Sequence, residues 1–282
     1  MASIKIGTCS WNYDSWVGLV YSKRSPRAAG YLAEYSKRFD TVEVDSWFYK
    51  LPARQEVEEY LEQAGPDLTF ACKVLQGVTL THLRTPGVTD ETPRPNPDFL
   101  SAELFAKYIA ALHPMLPRID AIELEFEYLN RTKMASLDVF LEQLDAFFGR
   151  IEKKLPLAVE TRNSNYLHNE YFALLKARNV AHVFSEKLYM PHIYDVYDRF
   201  GDLLADRVVV RLLGGDRKEM EERTGGRWDV RLEEKADLRK IAAMALDMER
   251  RGKDLYFYVN NHYEGSAPRT IEALEKLLAP GT

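Results

Sequence analysis

Carboxylate and cationic side chains alternate with apolar ones in five short segments, residues 41–45, 68–73, 121–127, 157–162 and 208–212. Alternate residues of a β-strand face opposite sides, so each segment has one apolar face and one face that carries ionisable groups towards its C-terminal end. If helices cover the apolar faces, the charged faces must point into a barrel or a crevice. Buried charges are costly unless they pair or take part in chemistry. The pattern therefore predicts an enzyme.

The charged faces carry six carboxylates, one lysine and two arginines: Glu43, Asp45, Lys73, Glu123, Glu125, Glu127, Glu160, Arg162 and Arg211. Glu43 or Glu160 is predicted to act as a general base, with a pKa set by the competition between burial and neighbouring cations. Lys73 is a further catalytic candidate, whereas Glu123 lies lower in its strand and is predicted to be structural. The alternative for the whole set is an ionic network without a catalytic role.

Arg162 and Arg211 are predicted to bind an anionic group of the substrate, because a guanidinium can donate two parallel hydrogen bonds to a phosphate or carboxylate. After the last predicted strand, Asn260 and Asn261 supply amide groups, and Gly265 would let the backbone approach a ligand closely. Many barrels bind phosphate in the loops after strands 7 and 8, which is where these residues fall. Ordinary loop and helix-capping chemistry is the alternative.

A histidine and several aromatic residues lie in segments that follow predicted strands. His82 comes after the third strand, where it could act as an acid, a base or a metal ligand. The oxygens of Glu43, Asp45 and Glu160 could hold Mg²⁺ or Mn²⁺, although the nearby cations could neutralise the same acids. Aromatic side chains that can stack on sugars or nucleobases are predicted to line the rim near strands 1 and 2: Trp11, Tyr13, Trp16, Trp47, Phe48 and Tyr49.

Strand-like and helix-like segments alternate from one end of the chain to the other. Strands are predicted near residues 4–8, 41–45, 68–74, 120–126, 156–161, 181–185, 207–213 and 255–260, and helices at 28–38, 53–63, 99–112, 134–149, 168–178, 192–205, 234–251 and 268–278. Eight strand–helix units predict an α/β protein with a (β/α)8 barrel, formed as a single domain over residues 1–282. A doubly wound open sheet is the alternative. Long loops follow strands 1, 3 and 7, at the rim where barrel active sites form.

The amino-acid composition limits which binding partners and which cellular compartment are expected for this protein. The net charge of −5 does not support a broad nucleic-acid-binding surface, although a local basic cleft remains compatible with it. Two cysteines, Cys9 and Cys72, are too few for a disulfide framework or a thiolate metal site. The first residues read as a strand rather than as a signal peptide, and no apolar run is long enough for a membrane span. We therefore expect a cytoplasmic protein.

The same segments resemble the YecE-like family, also called domain of unknown function seventy-two, a group of TIM-barrel proteins of unsettled activity. The matching motifs occur in family order along almost the whole chain: Gly7-Thr-Cys-Ser-Trp11, residues 39–49, Phe70-Ala-Cys-Lys73, Thr81-His82, Val159-Glu-Thr-Arg162, Arg211-Leu-Leu-Gly214 and Tyr258-Val-Asn-Asn-His262. The polar set that the resemblance implies is Glu43, Tyr49, Lys73, His82, Glu160, Arg162, Arg211, Asn260 and Asn261.

This sequence departs from the family pattern at several of these motifs. Asp45 stands where the family usually has Asn, and Glu125 stands where it commonly has Gln. Leu213 replaces a histidine that often follows strand 7. The departures predict a site that is more acidic than is usual in the family and a mechanism that does not use that histidine.

The favoured hypothesis is a hydrolase or lyase that acts on a phosphorylated or nucleotide-like molecule. A trinuclear zinc site of the endonuclease kind would need several histidines at strand ends, which this chain lacks. The alternatives are a glycosidase with paired carboxylates, supplied by strands 4 and 5, or a protein that binds an anionic small molecule or nucleic acid without turnover.

Overall fold

Eight parallel strands close into a barrel in the computed structural model, which describes residues 2–83 and 94–279. In chain order the strands are β1 (Ile4–Thr8), β2 (Thr41–Val44), β3 (Thr69–Lys73), β4 (Ile119–Glu125), β5 (Leu157–Glu160), β6 (Ala181–Lys187), β7 (Arg207–Gly214) and β8 (Asp254–Val259). Each strand pairs with the next one along the chain, and β8 pairs with β1 to close the barrel. The predicted (β/α)8 fold is confirmed, and the open sheet is excluded.

Helices fill the connections between the strands. Their bounds are Leu32–Tyr35, Arg54–Gln63, Gln76–Thr79, Ala102–Leu112, Leu137–Phe148, Asn169–Ala177, Ile193–Phe200, Arg217–Thr224, Asp237–Arg250 and Ala267–Leu278. The helix predicted over 28–38 is the largest departure, because Ala28–Tyr31 forms a 3₁₀ turn and leaves only four α-helical residues. Gly30 in that segment weakens a helix. Gln76–Thr79 and Arg217–Thr224 lie in segments that were predicted as loops.

The side-chain alternation of the strands separates two buried layers. Outward-facing residues such as Val42, Phe70 and Val210 belong to the core that lies between the barrel and its helices. The inward-facing residues include four alanines, together with larger side chains from the later strands: Ala71, Ala121, Ala158, Ala181, Val183, Val209 and Tyr258. Alanine fills little of the barrel interior, so the long charged side chains nearer the C-terminal ends of the strands have room to meet at its centre.

The long loops predicted after strands 1, 3 and 7 are present on the rim at the C-terminal ends of the strands, but they contain more structure than expected. In the first loop, Trp16 is fully buried and donates its indole N–H to the carbonyl of Trp228 in the loop after β7. The second loop includes residues 84–93, so Pro86 and Pro93 lie outside the described residues. Among the helices described, none combines the length and the apolar character needed to span a membrane.

Candidate active site

Arg211 is the centre of a buried ionic network inside the C-terminal half of the barrel. Its Nε and Nη2 donate to the two carboxylate oxygens of Glu43, each over 2.7 Å, so the two groups form a bidentate pair. Its Nη1 donates to Glu160 at 2.5 Å and to Glu125 at 3.3 Å. The structure therefore brings together Glu43, Glu160 and Arg211 from strands β2, β5 and β7, which the sequence placed on inward-facing positions.

Lys73 is the second cation of the network and lies beside three carboxylates. Its Nζ is 2.6 Å from Asp45, 3.0 Å from Glu125 and 3.5 Å from Glu43. Burial and the charge of Arg211 oppose protonation of this lysine, but the three carboxylates outweigh them and raise its pKa well above the ordinary value. Lys73 is thus held as a cation.

Glu125 and Asp45 are held as carboxylates by the same cations. Burial opposes the charge on Glu125, but Lys73, Arg211 and Arg162 lower its pKa to about 2. Arg162 reaches Glu125 through Nη2. Burial likewise opposes the charge on Asp45, and Lys73 and Arg211 lower the pKa of that carboxyl below its ordinary value.

Acids outnumber cations in the network. Five carboxyl groups, from Glu43, Asp45, Glu123, Glu125 and Glu160, face Lys73, Arg162 and Arg211. A surplus of buried negative charge favours protonation of the least stabilised carboxyl.

Burial raises the pKa of Glu43 well above its ordinary value, and Glu123 is the second carboxyl that can take this role. It is completely buried, neither of its oxygens has a hydrogen-bond partner, and its Oε2 is 3.8 Å from Nε of Arg211. Burial raises its pKa to about 7. Glu123 was predicted to be structural, and in the structure it forms the lower end of the network.

Exposure increases from the centre of the network towards the mouth of the barrel. The side chains of Glu43 and Glu160 are 0% exposed and that of Arg211 is 3% exposed, whereas those of Asp45 and Arg162 are each 40% exposed. Direct contact with a ligand is therefore possible for Asp45 and Arg162. Lys73 is intermediate, with a side chain that is 10% exposed, whereas Glu43, Glu160 and Arg211 can influence a ligand only through their neighbours.

Lys187, the last residue of β6, belongs to the same mouth and was missed in the sequence. Its strand alternates Ala181, Val183 and Ser185 on the inward face, and Lys187 continues that series. The lysine is half-buried, and burial and the nearby charge of Arg162 lower its pKa. The sequence signal was available, because extending the predicted strand by two residues would have placed Lys187 beside the other charged groups.

The two asparagines after β8 and Gly265 have structural contacts that account for their positions. The side-chain oxygen of Asn260 accepts from the backbone N–H of His262, and that of Asn261 accepts from the N–H of Ala267 at the start of the last helix. Gly265 has a φ of +99°, and a Cβ there would lie 3.0 Å from the backbone of the loop at 230–232. The backbone of Gly265 thus approaches this loop closely, and its approach to a ligand stays a prediction.

The aromatic residues predicted to line the rim divide into buried and exposed ones. Trp11 is 4% exposed, donates its indole N–H to the carbonyl of Ala28 and packs edge-on against Tyr60, so it does not form an open platform. Tyr49, by contrast, is 71% exposed just after β2. Only Tyr49 of these two remains a candidate for contact with a ligand.

His82 lies outside the ionic network. Its Nδ1 is 3.0 Å from Oγ1 of Thr81, and in the described parts of the chain no hydrogen bond or ion pair joins it to Glu43, Lys73 or Arg211. Thr81 in turn contacts Glu127, which pairs with Lys133. A catalytic role for His82 would therefore need a ligand that extends along the rim.

The carboxylates are not arranged as a metal site or as an open glycosidase pair. Within residues 2–83 and 94–279, no group of three or more His, Cys, Asp or Glu side chains is placed to hold a metal ion. Glu43, Asp45 and Glu160, which could have held Mg²⁺ or Mn²⁺, are engaged by Arg211 and Lys73 instead. Glu125 and Glu160 both contact the same Nη1 of Arg211, so they do not face each other across a cleft.

A closed (β/α)8 barrel with a buried ionic network at its C-terminal mouth places this molecule among the TIM-barrel proteins. The chain belongs to the family described as protein of unknown function DUF72, whose model matches residues 5–282. The family resemblance found in the sequence is confirmed.

Solved structures of the family support the fold. A DUF72 family protein from Enterococcus faecalis V583 is 18% identical, with a TM-score of 0.69 over 98% of this chain and 95% of that chain. A DUF72 family protein from Thermotoga maritima MSB8 is 19% identical, with a TM-score of 0.68 over 98% of both chains. Likeness at this identity shows the fold alone. No curated protein matches the chain.

Proposed function

We propose that this protein is an enzyme of lyase or hydrolase type that acts on a small phosphorylated or otherwise anionic substrate at the C-terminal mouth of the barrel. The observation that carries the proposal is the network itself, in which five carboxyl groups and three cations from five strands converge. Perturbed ionisable groups that cluster at the functional end of a barrel are characteristic of active sites.

The alternative of a purely structural network is weakened by its energetics. Buried ion pairs are often no more stabilising than apolar residues of similar volume. This network also contains a completely buried carboxyl, Glu123, without any hydrogen bond, and a carboxylate oxygen of Glu160 without a partner among the described residues. Such unsatisfied buried groups cost stability and are expected at functional sites.

Arg162 is the residue best placed to bind the anionic group. It contacts Glu125 through Nη2, and its guanidinium forms no other hydrogen bond with the described residues, so further N–H groups can reach a ligand. Arg211 was expected to share this role. Because it is buried and already contacts three carboxylates, we assign it the role of positioning Glu43 and Glu160.

Asp45 and Lys73 are the groups that would act on the substrate. Asp45 is an ionised carboxylate at the mouth and can accept a proton, and Lys73 is a cation that can stabilise negative charge that develops on an oxygen. Glu160 was expected to be a base, but its side chain is completely buried and accepts from Nη1 of Arg211, so we assign it the role of holding that guanidinium. Glu43 was expected in the same role, but both its oxygens accept from Arg211.

Matched pairs of phosphorylated and unphosphorylated metabolites test this proposal through the melting temperature of the protein. We expect stabilisation by one or more phosphorylated members and loss of that effect in Arg162→Gln. The control is Arg178→Gln, because Arg178 has a similar side-chain exposure of 35% but lies on an outer helix beside Asp145. Equal stabilisation of both variants would contradict the proposal. A preference for oligonucleotides over small phosphorylated molecules would indicate a nucleic-acid-binding protein instead.

A further inference from the structure

We propose that Lys187 is a nucleophilic amine that forms a Schiff base with the carbonyl carbon of a small anionic aldehyde or ketone. The inference rests on the proposed function, because it uses the same mouth of the barrel. It goes further by naming the attacking atom, the class of substrate and the covalent intermediate.

The backbone places Lys187 at the end of a barrel strand, where it faces the network. Along β6 the inward-facing series Ala181, Val183 and Ser185 leads to Lys187, while Glu186 faces the following helix and accepts the N–H of Ile193. The pairing of β6 with β7 is irregular between Glu186 and Lys187. Irregularities of this kind re-aim side chains and are common beside active sites.

Lys73 and Lys187 share the mouth of the barrel but have opposite surroundings. Lys73 lies within 3.5 Å of three carboxylates, so it is a cation and a poor nucleophile. The side chain of Lys187 forms no hydrogen bond or ion pair with any described residue. Burial and the positive charge of Arg162 lower its pKa, and they outweigh the carboxylates of Glu160 and Glu125, which raise it. A lysine becomes nucleophilic when desolvation and a neighbouring cation lower its pKa, and both causes are present here.

The neighbouring arginine also indicates the class of substrate. Arg162 supplies a guanidinium that is 40% exposed at the same mouth of the barrel and whose charge acts on the amine, so a molecule that carries both a carbonyl group and a phosphate or carboxylate would be held with its carbonyl towards Lys187. Such a substrate would thus be oriented by the same residue that keeps the free amine unprotonated.

The step is balanced without any further reactant. The unprotonated amine of Lys187 adds to the carbonyl carbon, and the electrons of the C=O double bond move to oxygen, which takes up a proton. The resulting carbinolamine loses this oxygen as water after a second proton is added, and the nitrogen loses one proton. The net reaction consumes one amine, one carbonyl group and one proton, and yields one iminium ion and one water. These protons are exchanged with solvent at the mouth of the barrel, where the side chains of Asp45 and Arg162 are each 40% exposed.

Reductive trapping tests the inference on the intact protein. Dihydroxyacetone phosphate, pyruvate and unphosphorylated dihydroxyacetone are each incubated with the protein and sodium cyanoborohydride, and the modified peptides are identified by mass spectrometry. We expect trapping at Lys187 to be at least tenfold faster than at Lys218, whose side chain is 85% exposed. Trapping at Lys187 that is no faster than at Lys218 would overturn the inference.

Two variants and one additional measurement separate nucleophilicity from a structural role. Lys187→Arg keeps a positive charge but cannot form an imine, so we expect it to retain the wild-type melting temperature and lose the adduct. Competitive labelling of the intact protein with acetic anhydride over a range of pH measures the reactivity of each lysine without any substrate. An apparent pKa of Lys187 no lower than that of Lys218 would also contradict the inference.

Arg162→Gln distinguishes a failure of this inference from a failure of the proposed function. If Arg162 binds the anion, the variant loses the preference for dihydroxyacetone phosphate over dihydroxyacetone but still forms the adduct at Lys187, more slowly because one cause of the lowered pKa of the amine is removed. Trapping at Lys187 without any preference for an anionic compound in the wild type would support the role of Lys187 as the nucleophile and contradict the proposed anion-binding site. Anion binding without trapping would support the anion-binding site and contradict the role of Lys187 as the nucleophile.

Discussion

Arg211 and Glu43 join strands β7 and β2 across the interior of the barrel by two hydrogen bonds of 2.7 Å each, and both side chains are excluded from solvent. The pair is held further by Glu160 and Glu125 on the other side of the guanidinium. Arg211 is therefore the main counter-ion of the buried carboxylates, and its loss should lower the stability of the protein.

Arg211→Ala should lower the free energy of unfolding by about 3–5 kcal/mol, because it leaves carboxylates buried without their main counter-ion. Denaturant titration of wild type and variant measures this difference. The control is Arg178→Ala, which removes a pair with Asp145 on the surface and should cost at most about 1 kcal/mol. Similar losses for the two variants would show that the interior pair contributes no more to stability than a surface ion pair. Replacing both Arg211 and Glu43 by apolar residues should restore part of the loss.

The contribution of Glu123 to the stability of the protein should fall as the pH rises from about 4.5 to 7. Its folded-state pKa is raised to about 7 from the ordinary value of 4.5, so the folded protein binds this proton more tightly than the unfolded chain. The contribution is fully present below pH 4.5, is lost as pH approaches 7 and then stays constant. We expect a decrease of about 1–3 kcal/mol over this range.

Unfolding by urea at a series of pH values, compared with Glu123→Gln, checks this expectation. The difference in unfolding free energy between the two proteins isolates the carboxyl group. Asp45 and Glu125 have lowered pKa values, so their contributions are lost only at lower pH, as the solution is acidified towards about 2. A pH-independent difference between 4.5 and 7 would mean that Glu123 is not the protonated group.

The sequence was sufficient to predict the fold and the buried half of the candidate site. Alternation alone placed Glu43, Glu160 and Arg211 on inward faces, because a strand that is covered by helices on one side leaves its other face for the barrel interior. Alternation does not reveal how deeply a side chain is buried. It therefore could not show that the guanidinium of Arg211 is already bound by carboxylates, or that the carboxyl of Glu123 has no hydrogen-bond partner.

Outside the strands, the surroundings of the candidate residues depend on contacts between loops that are distant in the sequence. Trp11 and Gly265 lie beside predicted strand ends and have residue types found in binding sites. Their actual neighbours, Ala28 and the backbone at 230–232, could not be inferred from spacing. Lys187 was missed for a simpler reason, because strand ends are the least reliable part of a prediction from propensity.

Asp45→Asn should strengthen the binding of anions at the mouth of the barrel. The variant removes one negative charge beside Lys73, to which Asp45 is bound at 2.6 Å, and leaves an amide of nearly the same size. A gain of about 1 kcal/mol, or roughly fivefold in affinity, is expected for a partly exposed charge. Isothermal titration with a phosphorylated ligand measures the effect, with Asp145→Asn on the outer surface as the control. Weaker binding by Asp45→Asn would contradict the prediction and indicate that the anion does not bind beside Lys73.

Gly265→Ala distinguishes a structural glycine from one that approaches a ligand. The residue has a φ of +99°, and an added Cβ would lie 3.0 Å from the carbonyl oxygen of Val230 and the N–H nitrogen of Leu232. Both the backbone conformation and the contact oppose a side chain, so we expect a loss of about 1–3 kcal/mol in unfolding free energy. Gly215→Ala is a suitable control, because no heavy atom lies within 4 Å of its added Cβ. If Gly265→Ala instead weakened ligand binding at unchanged stability, the glycine would belong to the binding site and the contact with the loop at 230–232 would not be its main constraint.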